Sequence, residues 1–123
     1  MYTVSIETEF SAAHIIRGYN GPCSRPHGHN WKVIVEASTE VLDELGMSVD
    51  FYVLQKKTEE VVSQFDHHDL NTTPPFDQAL NPTSENIARY FFEELKKRMP
   101  AHVTLSSVTI GETGTYIAKY SES

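Results

Sequence analysis

Histidines at three positions and a single cysteine carry most of the chemistry that this sequence offers. His27-Gly28-His29 sets two imidazoles at i and i+2, which point to one side of an extended segment. Both can then reach one metal ion, at about 2.0–2.1 Å if it is zinc. Gly28 between them lets the backbone bend or approach a ligand closely. His14 lies just past a first strand, so a hairpin of the first two strands puts it at the base of the same loop. Three imidazoles without a fourth protein ligand leave a position for water or substrate, the pattern of catalytic metal sites. His-Gly-His alone is equally a pair of surface loop histidines; His14 opposite tips the reading to a metal. Cys23, in the loop before His27, is open to three readings. It can be a fourth ligand closing a structural site, a thiolate acting as nucleophile or base beside the metal, or a buried inert thiol. Its loop-forming neighbours Pro22, Ser24 and Arg25 argue against burial.

Two further groups stand out. Asp66-His67-His68-Asp69 follows an amphipathic stretch, and a carboxylate beside an imidazole can fix its tautomer and raise its basicity if the side chains meet. Read alone, the motif is a helix C-terminus, where a cation is favoured. Glu112 shares a strand face with Val108 and Ile110, otherwise apolar. A buried carboxylate needs a partner, either a structural ion pair or a ligand edge with two adjacent N–H donors. Glu85, in the first turn of a helix, reads as a favourable charge at the helix dipole.

The elements that must position these groups follow from periodicity. Tyr2, Val4, Ile6 and Phe10 alternate with polar residues as a half-buried strand. A loop with Gly21-Pro22 and Pro26 runs to Gly28, and Trp31, Val33, Val35 and Ala37 alternate in a second strand. Asp50 caps a helix predicted to run to about Phe65, with Leu54, Thr58, Val61, Val62 and Phe65 on one face. After a proline-rich loop, Thr83 caps a second helix carrying Ile87, Phe91 and Leu95, and Pro100 ends it. Val103–Glu112 and Tyr116–Tyr120 read as the last two strands, with Gly114 in the turn. The order predicts an α+β chain, a four-stranded antiparallel sheet with both helices on one face. Its open edges must be covered or paired, and edge-to-edge association of subunits would do so.

The 123 residues fit one domain, 1–123, without an internal repeat or low-complexity segment. A chain this long buries roughly two-thirds of its unfolded surface. Apolar residues are 39% and charged residues 22%, as in an ordinary globular protein. No apolar run approaches the ~20 residues of a membrane span, and the alternating N-terminus is unlike a signal peptide, so a cytoplasmic location is expected. With 10 Lys and Arg against 17 Asp and Glu, the net charge of -7 argues against nucleic acid as a partner. It leaves room for a small anionic substrate held by local cations.

Taken together, several strings resemble the 6-pyruvoyl-tetrahydropterin synthase family, which includes bacterial 6-carboxy-tetrahydropterin synthase. They are Phe10-Ser11-Ala12-Ala13-His14, Cys23 through His27-Gly28-His29-Asn30, Val49-Asp50-Phe51, Phe65-Asp66-His67 with Leu70-Asn71, Pro82-Thr83-Ser84-Glu85-Asn86, and Glu112-Thr113. They occur in family order over nearly the whole chain. The resemblance implies a tunnelling fold, in which three subunits join their sheets into a barrel and two trimers stack as a hexamer. It implies Zn2+ held by His14, His27 and His29, with Cys23 as the catalytic thiolate and Asp66–His67 as a relay. It makes Glu112 the anchor for the pterin ring, with Glu85 and Thr83 near the same pocket. The implied substrate is 7,8-dihydroneopterin triphosphate, for whose triphosphate Arg17, Arg25 and Lys32 are candidate partners. The short Cys23–His27 spacing is similar to that of the branch that releases acetaldehyde and triphosphate and gives 6-carboxy-tetrahydropterin for queuosine. The alternatives are the pyruvoyl branch and a non-catalytic pterin- or zinc-binding relative.

Overall fold

The computed structural model describes residues 1–21 and 25–122. Its elements are β1 (Tyr2–His14), β2 (His27–Thr39), α1 (Phe51–Val62), β3 (His68–Asp69), α2 (Ser84–Arg98), β4 (Thr104–Gly111) and β5 (Ile117–Tyr120), with a 3-10 turn at Leu70–Thr72. β1 and β2 pair antiparallel along their whole length, from Tyr2 opposite Thr39 to His14 opposite His27. His14 is thus the last residue of β1 rather than a loop residue past it. Since side chains alternate, one face of this hairpin carries Phe10, Ala12 and His14 opposite Trp31, His29 and His27. The apolar face therefore runs directly into the histidines.

β4 pairs antiparallel with β2 through one irregularity: Glu36 faces Ser107 while Ala37 faces Leu105. Ser106 is the extra residue of a bulge, which resets the alternation so that Leu105 and Val108 both face the core. The strand ends with Gly111 opposite Lys32. Glu112 comes one step further, on the face of Val108 and Ile110.

The sheet corrects the four-stranded antiparallel expectation. It is mixed, with five strands in the order β3-β1-β2-β4-β5, because the two-residue β3 runs parallel to β1. Two residues carry no period to read. The turn before β3 holds it in place: Asp66 Oδ1 accepts the Ser11 N–H at 2.9 Å, and the His67 N–H donates to the Ser11 carbonyl at 2.6 Å.

Both helices begin as their caps dictate. Asp50 accepts the Tyr52 N–H at 2.8 Å, and Thr83 accepts that of Asn86 at 3.1 Å. α1 stops at Val62, short of the expected Phe65, yet Phe65 remains buried in the turn beyond it. α2 stops at Arg98, two residues before Pro100, whose ring disfavours a helical residue ahead of it. Both helices cover the inner face of the sheet. There Phe10 stacks on Trp31 and Phe91, at centroid distances of 6.0 and 5.8 Å. Each such buried side chain contributes roughly 1.5–3 kcal/mol, which makes a rigid floor beneath the histidines. Among the described residues, no helix is long and apolar enough to cross a membrane.

Candidate metal centre

Three strands meet at one corner of the inner face. β1 ends with His14, β2 begins with His27 and His29, and β4 leads into Glu112. Their ligand atoms all lie within 4.8 Å of one another. The ring of His14 packs edge-on against Trp31 at 4.8 Å and sits 4.4 Å from that of His27, centroid to centroid. His14 is 1% exposed. Its Nδ1 lies 2.8 Å from the Pro82 carbonyl. A carbonyl only accepts, so Nδ1 carries the hydrogen and Nε2 faces the cluster. His27 Nδ1 is likewise tied to the Arg25 carbonyl, at 2.6 Å. Such carbonyl partners fix which nitrogen a metal-binding histidine presents.

The electrostatics suit a cation. Burial, with the neighbouring His27 imidazole, pushes the pKa of His14 and His29 below the ordinary histidine value, against the opposing pull of Glu112 on both and of the Pro82 carbonyl on His14. Neutral imidazoles offer lone pairs to a metal. His14 Nε2 and His29 Nε2 are buried and make no hydrogen bond among the described residues. Buried polar atoms are rarely left so, and a metal ion between them and Glu112 would satisfy both. The donor set fits a divalent metal such as zinc by type, three imidazole nitrogens and one carboxylate oxygen.

Asp66 and His67 form a second group. His67 Nε2 is 3.7 Å from Asp66 Oδ2, and the His67 side chain is 82% exposed. That separation is too long for a hydrogen bond. They do not end α1, as the motif read alone would have it; they occupy the turn that leads from the helix to β3. His67 takes a left-handed φ of 60° there, uncommon for a residue with a side chain. An open depression of about 370 Å³ touches His29 of the first group and His67 of the second, with Ser11, Ala13, Gly28 and Asn30 also on its lining.

The remaining sequence candidates divide. Cys23 lies outside the described residues. Arg25 is exposed beside His27. Thr83 and the exposed Glu85 open α2, adjoining the Pro82 carbonyl that holds His14. Lys32 points to the other face of the sheet, 3.6 Å from Glu7. The Arg17 guanidinium donates to the carbonyls of Leu80 (3.0 Å), Asn71 (3.2 Å) and Phe76, so it binds its own chain. Sequence reasoning missed the clamp of which Arg17 is part. Asn71 pairs with the backbone of Ile15, and Asn81 with that of Arg17. The available signal was that Asn71 and Pro82 fall within the strings quoted above.

The sequence profile of the 6-pyruvoyl tetrahydropterin synthase family matches residues 3–123. The chain belongs to this family. Among relatives of this chain, a protein of Archaeoglobus fulgidus provisionally named 6-carboxy-5,6,7,8-tetrahydropterin synthase is 46% identical over 95 residues, covering 77% of this chain and 76% of that one. The 6-pyruvoyl tetrahydrobiopterin synthase of Homo sapiens is 36% identical over 103 residues, 81% of this chain and 70% of the human one. The solved 6-pyruvoyl tetrahydropterin synthase of Caenorhabditis elegans superposes with a TM-score of 0.87 at 34% identity, covering 99% of this chain and 96% of that one. The synthase family thus includes relatives named for each of two products.

Proposed function

We propose that the chain is a zinc-dependent lyase. It converts 7,8-dihydroneopterin triphosphate and water to 6-carboxy-5,6,7,8-tetrahydropterin, acetaldehyde and triphosphate. The observation that carries this reading is the convergence of His14, His27 and His29 on one point, with two buried Nε2 atoms lacking hydrogen bonds. The carboxy product is favoured by the short Cys23–His27 spacing and by the 46% identical relative of that name.

The three histidines would hold the zinc, which when bound supplies a Lewis acid to the substrate's side-chain oxygens. The residues themselves bind, orient and move protons. Cys23, as a thiolate, takes a proton from the substrate side chain on one side. His67, with the Asp66 carboxylate 3.7 Å away, exchanges protons on the other. Glu112 pairs with the N–H edge of the pterin ring, and Glu85 and Thr83 border the same pocket. Arg25, exposed next to His27, receives the triphosphate; the donors of Arg17 serve the loop instead. The chain folds as one tunnelling-fold domain, and three copies join their sheets into a barrel, stacked in pairs as a hexamer.

The test is to incubate zinc-loaded protein with 7,8-dihydroneopterin triphosphate and identify products by mass spectrometry, with Cys23→Ala in parallel. Carboxy-tetrahydropterin and acetaldehyde, lost in the variant, are expected. Pyruvoyl-tetrahydropterin would assign the chain to the other branch. Unchanged substrate with wild-type protein would sink the lyase and leave a binding protein.

A further inference from the structure

Glu112 stands where two demands on one carboxylate meet. Its Oε1 is 3.0 Å from His14 Nε2 and 3.6 Å from His29 Nε2, yet neither nitrogen makes a hydrogen bond among the described residues. A carboxylate so close to imidazole N–H groups ordinarily takes them as hydrogen bonds. Here the Pro82 carbonyl occupies the hydrogen of His14 Nδ1, and in the neutral ring Nε2 then carries a lone pair. A lone pair facing a carboxylate oxygen is repelled unless a cation lies between them. The carboxylate is therefore placed as a fourth donor to the same centre as the histidines.

The same side chain is also the one suited to the pterin edge. Pairing with two adjacent N–H groups uses both carboxylate oxygens, and an Oε1 whose electron density is drawn toward a metal is a poorer acceptor for one of them. Of the four donors, Glu112 and His29 are held less firmly than the other two, each close to one-fifth exposed, and only Glu112 can serve an N–H edge as an acceptor. His14 and His27 are each tied through Nδ1 to a backbone carbonyl. Glu112 lies just past β4, and its side chain is 18% exposed against 1% for His14. Among the described residues its carboxylate has no polar contact other than the two imidazoles.

We propose that Glu112 is a shared ligand, completing the metal's donor set in the substrate-free protein and leaving it to pair with the N–H edge of an arriving pterin. The metal's fourth position then opens only when a ring is seated. This rests on the metal- and pterin-binding reading above and adds to it an order of events.

Cobalt(II), whose visible spectrum reports coordination number and ligand type, is loaded into full-length wild type, Glu112→Gln and Glu112→Ala. Circular dichroism checks each fold, and a chromophoric chelator competes for the metal. The pterin probe is 6-methylpterin, which has the N–H edge and no side-chain oxygen able to replace a ligand. The expected result is affinity weaker on the order of ten-fold or more in Glu112→Ala, with an altered spectrum, and a wild-type spectrum that moves toward it when 6-methylpterin binds. The near-isosteric Glu112→Gln should fall between the two and keeps the test valid if the alanine variant unfolds. Wild-type affinity and spectrum in both variants would overturn the shared ligand while leaving the three-histidine site intact. An unmoved spectrum with bound 6-methylpterin, or no 6-methylpterin binding, would overturn the exchange. Failure of the wild type to bind cobalt would instead remove the metal reading itself.

Discussion

His14 and His29 offer the same atom to the centre from different surroundings, 1% and 19% exposed respectively. His14 is part of the core: its ring packs on Trp31, and its Nδ1–H satisfies the Pro82 carbonyl. The His29 ring also packs edge-on against Trp31, at 5.3 Å, but among the described residues its ring nitrogens are tied to no backbone carbonyl. Both His14→Ala and His29→Ala are expected to lose the metal, read as metal content per chain after dialysis. Their metal-free stabilities should separate. His14→Ala leaves a cavity and an unpaired buried carbonyl, a loss of about 2–4 kcal/mol. His29→Ala should cost under about 1 kcal/mol. Urea unfolding of the metal-free proteins measures the difference, and equal losses would show that His14 is no more structural than His29. The histidine pattern at i and i+2 and the face of Glu112 were legible in the sequence, since both depend only on strand alternation. The meeting of Glu112 with His14 and His29 was not, because it depends on β4 lying beside β2 with one bulge.

At the scale of elements, the segment between β3 and α2 has little regular structure, yet it sets the position of the buried histidine. Asn71 and Asn81 each exchange two hydrogen bonds with the backbone just after β1, at Ile15 and Arg17. Asn86 in α2 ties the Asn81 carbonyl back to the helix at 2.9 Å. Pro82, one residue on, presents its carbonyl to His14. Asn81→Ala should therefore weaken metal binding by roughly ten-fold or more without touching a ligand, as removal of outer-shell partners does. Chelator competition measures this; the histidine Nδ1/Nε2 tautomer signals in nitrogen NMR distinguish a misdirected His14 from general loosening. Unchanged affinity and signals would mean that the loop merely packs beside the site. These asparagines show why part of the fold escaped sequence reading. β1, β2, β4 and both helices announce themselves through period and caps. Side chains that bond to a distant backbone leave only a turn-forming composition, and the two-residue β3 adjoins the bonds of Asp66 and His67 to Ser11, which no periodicity announces.

For the whole molecule, the inner face of the sheet is closed by the helices while the outer face is not. Its residues include Glu7, Asn30, Lys32 and Glu36, with Ile117 61% exposed at the edge strand β5 and Tyr116 66% exposed next to it. A short edge strand with exposed apolar side chains is a place for another chain to pair, in keeping with the proposed barrel of three sheets. Light scattering should then give a mass of three or six chains, and Ile117→Asp should shift it toward the single chain. This variant also separates two properties that activity alone confounds. All four donors of the metal group come from one chain, so Ile117→Asp should retain metal at wild-type stoichiometry. If a neighbouring subunit completes the pocket around the pterin, the same variant should lose turnover with its metal in place. A variant that is monomeric, metal-loaded and fully active would show instead that one chain suffices for the chemistry, and the open edge would need another explanation.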